Sequence, residues 1–218
     1  MGEVVGEVLP LAIGIAASPF PIIPVILLLF TARPLAASGA FLAGWVLGIA
    51  AATAVFIGLA SVVEAFDEPP SWASWARIAL GAVLLAWGAR QWLTRHDSDE
   101  APAWMRSIED STPAEAARLG LLLSAANPKI VLLAAAAGLV IGAADLSTSG
   151  AAGAAAVFTV FAASTVAVPV LLFAVFGERV LGPLASMRDW LRANNAAVMA
   201  LVLLVLGALL VSKGVSGV

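Results

Sequence analysis

The chain contains no cysteine, a single histidine (His96), and only 11% charged residues in 218. The missing cysteine excludes disulfides, thiolate metal sites and thiol relay chemistry. With one histidine, placed in the most polar stretch, a metal role is not expected. The scarcity of charge is the stronger constraint, because a soluble domain carries about 25%. A basic leading segment is missing too. Met1 to Glu7 is acidic, so no cleavable signal is expected. Short alternating strands of the barrel type do not occur. There is no phosphate-binding glycine loop ending in Lys-Ser or Lys-Thr, so any ATP dependence would need a partner. Aspartate and glutamate are absent from the central part of every apolar run. That argues against a divalent-metal exporter and against acid–base catalysis, so no catalytic residue, metal site or cofactor is assigned. No nucleic-acid partner is expected.

What remains is apolar residues, 62% of the chain, in stretches long enough to cross a bilayer. Six spans read out at 4–31, 36–65, 72–94, 114–142, 150–176 and 194–211. The fold expected is an all-α integral membrane protein of six transmembrane helices. Residues 1–94 form a first three-span unit, 95–113 a cytoplasmic linker, and 114–218 a second three-span unit with an interfacial helix near 178–192. Three spans per half reverse the starting side of the second half, so the repeats must be inverted. Arg33, Arg90, Arg95, Arg106, Arg118, Arg179, Arg188 and Arg192 then lie towards one side, and Arg77 and Lys213 towards the other. Basic residues mark the cytoplasmic side, which puts both termini outside. Trp72 and Trp75 suit one interface, Trp92 and Trp190 the opposite one.

Two of these runs are interrupted at matching places. Ala17-Ser18-Pro19-Phe20-Pro21 breaks the first, and Ala126-Asn127-Pro128-Lys129-Ile130 breaks the fourth. Proline lacks the amide proton and clashes with the preceding turn. Serine and asparagine are favoured N-caps, and proline is favoured at the first helical position. Each break therefore reads as a new half-helix, starting at Pro19 and at Pro128. Its N-terminus offers free amide protons and the positive end of a dipole. Lys129 adds a full charge near the midplane, where a lysine is a functional candidate by default. The plain alternative is that Lys129 snorkels or bonds freed carbonyls. The matching break in the other half favours a shared purpose, an anion site at the midplane. The candidate substrate-binding residues are Ser18, Pro19, Pro21, Asn127, Pro128 and Lys129.

Other polar positions carry less. Thr53, Ser61, Thr159, Ser164 and Thr165 are expected to bond their own backbone, the habit of hydroxyls in membrane helices. Pro169 is expected to kink span five. Asn194-Asn195 reads as a cap of the last span. Gly44-Trp45-Val46-Leu47-Gly48 is a close-packing pattern that permits a homodimer without requiring one.

The Asn127-Pro128-Lys129 break followed by an apolar helix, with a proline break in span one, resembles the lysine-exporter (LysE) superfamily. Its amino-acid exporters carry Pro-Gly-Pro in the first break, where this chain has Ser18-Pro19-Phe20-Pro21-Ile22. That pattern, with Phe41-Leu42-Ala43-Gly44-Trp45 in span two, looks more like the Sap or GAP branch, the sulfolipid- and peptidoglycolipid-addressing proteins. The resemblance covers essentially the whole chain. It implies export of a lipid or glycolipid across the bacterial inner (plasma) membrane, and it carries the six break residues over as site candidates. Two alternatives stay open: a LysE-type exporter of a small carboxylate-bearing solute such as an amino acid, and a non-transporting adaptor of a lipid-export machinery.

Overall fold

The computed structural model describes residues 1–18, 20–64, 71–93, 108 and 111–215. They form α1 (Gly2–Ala16), α2 (Ile22–Leu28), α3 (Pro34–Glu64), α4 (Ser71–Leu93), α5 (Pro113–Ala125), α6 (Pro128–Ala143) and α7 (Thr148–Phe176). A 3-10 turn, Gly177–Val180, leads into α8 (Leu181–Val215). Among the described residues there is no strand. Lipid offers backbone amides no hydrogen-bond partner, so a chain this apolar must satisfy its own, and helices do that within each segment.

Pro34–Ala60 and Thr148–Leu191 are long and apolar enough to cross a membrane. The α5–α6 pair, bent by 67° between the two helices, adds a third crossing if it is counted as one span. Large apolar side chains such as Leu47, Val55, Leu122, Leu132, Val160 and Val175 point outward on these helices. An apolar surface of that extent is unfavourable in water and matched by lipid tails. The protein is membrane-embedded.

Helix α3 is the hub, packing against α5, α6, α7 and α2, while α1 packs on α7 and α6, and α4 pairs with α8. Small residues allow the closest approaches. A Cβ on Gly44 would run into the Ala117 carbonyl, one on Gly48 into the Ser124 side chain, and one on Gly120 into the Phe41 carbonyl. The Gly44–Gly48 pattern is thus occupied inside the chain, as the α3–α5 seam. The α4–α8 pair is reciprocal: a Cβ on Gly81 would meet the Gly207 carbonyl at 2.8 Å, and one on Gly207 the Gly81 carbonyl at 2.9 Å.

Several details differ from the sequence reading. The stretch 178–192 is not a separate interfacial helix, since α8 runs without interruption from Leu181 into the last apolar run. Asn194 is accordingly no cap. It lies inside α8 and its side-chain amide donates to the Trp190 carbonyl at 2.9 Å. Pro169 is buried within α7, and the unbroken helix is compatible with the kink expected there. Residues 94–107, 109 and 110, which hold most of the linker and His96, lie outside the described residues.

Candidate functional site

The second break is built from local chemistry on both sides. Helix α5 starts with a capping box: Thr112 Oγ1 accepts from the Glu115 amide at 3.3 Å, and Glu115 Oε2 accepts from the Thr112 amide at 2.7 Å. Pro113 takes the first helical position, where no amide proton is needed. The helix ends at Ala125 because Asn127 precedes proline and is driven out of helical geometry. Asn127 is extended (φ −81°, ψ 113°), and its side-chain oxygen accepts from the Lys129 amide at 3.1 Å. Pro128 opens α6, and the Val131 amide returns to the Asn127 carbonyl at 3.0 Å. Asn127 is therefore the N-cap that the sequence indicated.

Lys129 lies in the first turn of α6. Its Nζ is buried and has no hydrogen-bond partner. The Arg188–Asp189 ion pair, at 2.8 Å, is elsewhere and does not involve Lys129. An ammonium taken out of water without a counter-charge is strongly unfavourable, costing several kcal/mol after relaxation. The N-terminal end of α6 adds roughly half a positive charge beside it. An anion would relieve both.

The first break is built differently. Helix α1 closes with the Ala17 amide on the Ile13 carbonyl (2.8 Å) and the Ser18 amide on the Ile15 carbonyl (3.0 Å). Ser18 is buried but ends α1 rather than starting α2, which begins at Ile22 with Pro21 as its N-cap and no side-chain cap. The half-helix expected at Pro19 therefore starts three residues later. Pro19 itself lies outside the described residues; Pro21 is buried. The two breaks border one core, since Ile15 and Ile23 flank the first, Ile130 follows Lys129, and all three belong to the same buried cluster. Pro128 is exposed, and Asn127 and Lys129 are partly so.

Thr165, expected to bond its own backbone, does not, and a second unpaired buried polar atom was not anticipated. Trp45 Nε1 on α3 and Thr165 Oγ1 on α7 have no hydrogen-bond partner. Three of the hydroxyls behave as expected, Thr53 donating to the Ile49 carbonyl (2.9 Å), Thr159 to Ala155 (2.8 Å) and Ser164 to Phe161 (2.7 Å), while the Ser61 side chain lies outside what the structure describes. A hollow of about 250 Å³ between α3 and α5, lined by Ala43, Gly44, Leu47, Ala117, Arg118 and Leu121, is apolar apart from the arginine and does not include the break residues. No group of three or more His, Asp or Glu that could hold a metal occurs among the described residues.

Compared with curated proteins and with solved structures, the chain has no match. A family model described as "Sap, sulfolipid-1-addressing protein" matches residues 8–216, nearly the whole length. The chain belongs to the Sap, sulfolipid-1-addressing protein, family.

Proposed function

We propose that this protein is a secondary transporter or flippase-like carrier that exports an anionic or glycosylated lipid across the bacterial inner membrane. One observation carries the reading: the Lys129 ammonium is buried without a partner at the start of a helix, in a break that interrupts a membrane span. A cation held there by packing alone would be a cost to the fold, and an anionic headgroup removes it. The family's printed description names a sulfolipid, and a sulfate ester is such an anion. The apolar outer face leaves room for acyl chains in the bilayer while the headgroup enters the break.

The proposal includes the architecture of six spans in two inverted three-span repeats, with the N- and C-termini outside. The helix pairings support it. With α1–α2 as the first span and α5–α6 as the fourth, span one packs on span five as span two packs on span four. Spans three and six pair with each other, as do two and five, which is the set of contacts that two equivalent three-span halves related by a two-fold axis would make. Alternating access then follows from rocking one repeat against the other.

The test is native mass spectrometry of protein extracted gently from its own host, wild type beside Lys129→Ala. An anionic lipid retained by the wild type and lost from the variant is the expected result and identifies the cargo class. Equal retention by both proteins sinks the proposal.

A further inference from the structure

Among the described residues, three buried side-chain polar atoms lack a hydrogen-bond partner: Lys129 Nζ, Trp45 Nε1 and Thr165 Oγ1. They lie on α6, α3 and α7, and each of these helices packs against the other two. Elsewhere on the same helices, buried hydroxyls are satisfied by their own carbonyls, Thr53 on Ile49 and Thr159 on Ala155. Thr165 departs from that habit, because the carbonyl four residues back, Phe161, already accepts from Ser164 at 2.7 Å and leaves the Thr165 hydroxyl free for another partner. Trp45 is 1% exposed and stacks on Phe41, with ring centroids 6.3 Å apart and planes at 15°. A phenylalanine would stack there without leaving an indole N–H desolvated and unpaired.

The height of Trp45 along α3 places it beside the second break. A Cβ on Gly48 would collide with Ser124, just before the break, and a Cβ on Gly138, beyond it, would meet the Thr53 carbonyl at 2.6 Å. The stretch of α3 from Gly48 to Thr53 therefore passes the break carrying Lys129, and Trp45 lies less than one turn before Gly48. The donor chemistry selects the ligand. An indole N–H and an ammonium donate only, and a hydroxyl donates or accepts. That set repels a metal cation and suits an acceptor-rich oxyanion.

We infer that Trp45 and Thr165 are further headgroup-binding residues, which together with Lys129 hydrogen-bond the oxygens of a sulfate or phosphate ester on the lipid. This inference rests on the lipid-carrier reading. Trp45 sits in the Phe41–Trp45 stretch that marked the family resemblance, and it gives that stretch a chemical task.

The experiment uses the full chain in a neutral detergent, comparing wild type with Trp45→Phe, Thr165→Val and Lys129→Met. Affinities are measured by native mass spectrometry for sulfatide, for galactosylceramide, which lacks the sulfate, and for phosphatidylglycerol. Lipid-free melting temperatures are recorded alongside. Trp45→Phe and Thr165→Val are expected to melt at or above the wild-type temperature and to bind sulfatide about tenfold or more weakly, the loss of one hydrogen bond to a charged group. Galactosylceramide binding should not change. An equal loss with phosphatidylglycerol assigns the pair to phosphate as well as sulfate esters, and a loss confined to sulfatide assigns them to sulfate. Wild-type sulfatide affinity in both variants, with Lys129→Met weakened, overturns this inference and leaves the lipid-carrier reading standing. Wild-type affinity in Lys129→Met overturns that reading and this one with it. Lower lipid-free melting of Trp45→Phe and Thr165→Val makes the two residues structural and also overturns it.

Discussion

The two helix breaks occupy corresponding places in the two halves, yet they are made in different ways. At the first, the chain leaves α1 through a tightened last turn and enters a helix of seven residues that starts on Pro21 and has no side-chain cap. Its lining is Ser18, Pro21 and isoleucine, all without charge. At the second, α5 stops and α6 starts at one asparagine, whose side chain caps a helix of sixteen residues carrying a buried lysine in its first turn. Proline is the shared element, but it does not open a helix alone, since α1 continues through Pro10 and α7 through Pro169. The residue after the proline decides the chemistry. On the proposed repeat architecture, one break would supply the cation and the other shape.

The arms that lead to the breaks differ as well, and here the largest effect is expected. Helix α5 is drawn against α3 at Gly120, where a Cβ would collide with the Phe41 carbonyl, whereas α1 carries Gly6 with nothing within 4 Å of an added Cβ. Gly120→Val should destabilise the protein by about 1–3 kcal/mol or more, since backbone rather than a flexible side chain must move. Gly6→Ala should be neutral or stabilising by up to about 1 kcal/mol from helix propensity. Equilibrium unfolding in mixed micelles measures both. Similar stabilities for the two variants would mean that the arms are held equally, and the contrast between them would be lost.

The charge can be moved to test whether the asymmetry resides in the lysine alone. Ser18-Pro19-Phe20 aligns with Asn127-Pro128-Lys129, so Phe20 is the counterpart of Lys129. Lys129→Met should weaken binding of an anionic lipid about 10–100-fold, the range for a hydrogen bond to a charged group. Phe20→Met should leave it near wild type. Adding Phe20→Lys to Lys129→Met should restore part of the affinity if the two breaks face one site from opposite sides. A double variant no better than Lys129→Met alone would break the two-sided picture and confine the site to the second half.

How much of the fold and the site was legible in the sequence depended on whether the cause was local. The second break was readable because a cap, a proline and the residue before it act within four positions, and in the structure Asn127 is the N-cap. At the first, the new helix starts three residues later than the proline pattern suggests. Pro21 disfavours helical geometry at Phe20 before it, which pushes the start of α2 to Ile22. Asn194 looks like a cap because it heads an apolar run, but the amphipathic stretch before it is itself helical and simply continues. The Gly44–Gly48 pattern announced a close contact without naming the partner, which proved to be α5 of the same chain. Trp45 was visible only as part of the Gly44–Gly48 and Phe41–Trp45 patterns, and Thr165 was expected to bond its own backbone, so the sequence did not mark either as unpaired. Whether a donor finds an acceptor is settled by neighbours distant in the chain, and composition records none of that.

The smallest contrast concerns the two polar residues that precede the prolines. Asn127 accepts from the Lys129 amide at 3.1 Å and stands in extended geometry at a helix start, so Asn127→Ala removes a cap and should cost about 1 kcal/mol. Ser18 stands at a helix end, with its backbone amide on the Ile15 carbonyl, so Ser18→Ala removes no cap and should cost well under half of that. The comparison needs Asn127→Asp as a third arm. Aspartate caps as well as asparagine and also favours the helix N-terminus electrostatically, so stability should be retained. Its negative charge beside Lys129 would, however, compete with an anionic headgroup. Retained stability with weakened anionic-lipid binding in Asn127→Asp separates the cap's structural task from the charge of the site. Full binding in that variant would mean the headgroup does not approach the N-terminus of α6, and the difference between the two breaks would then be one of helix construction alone.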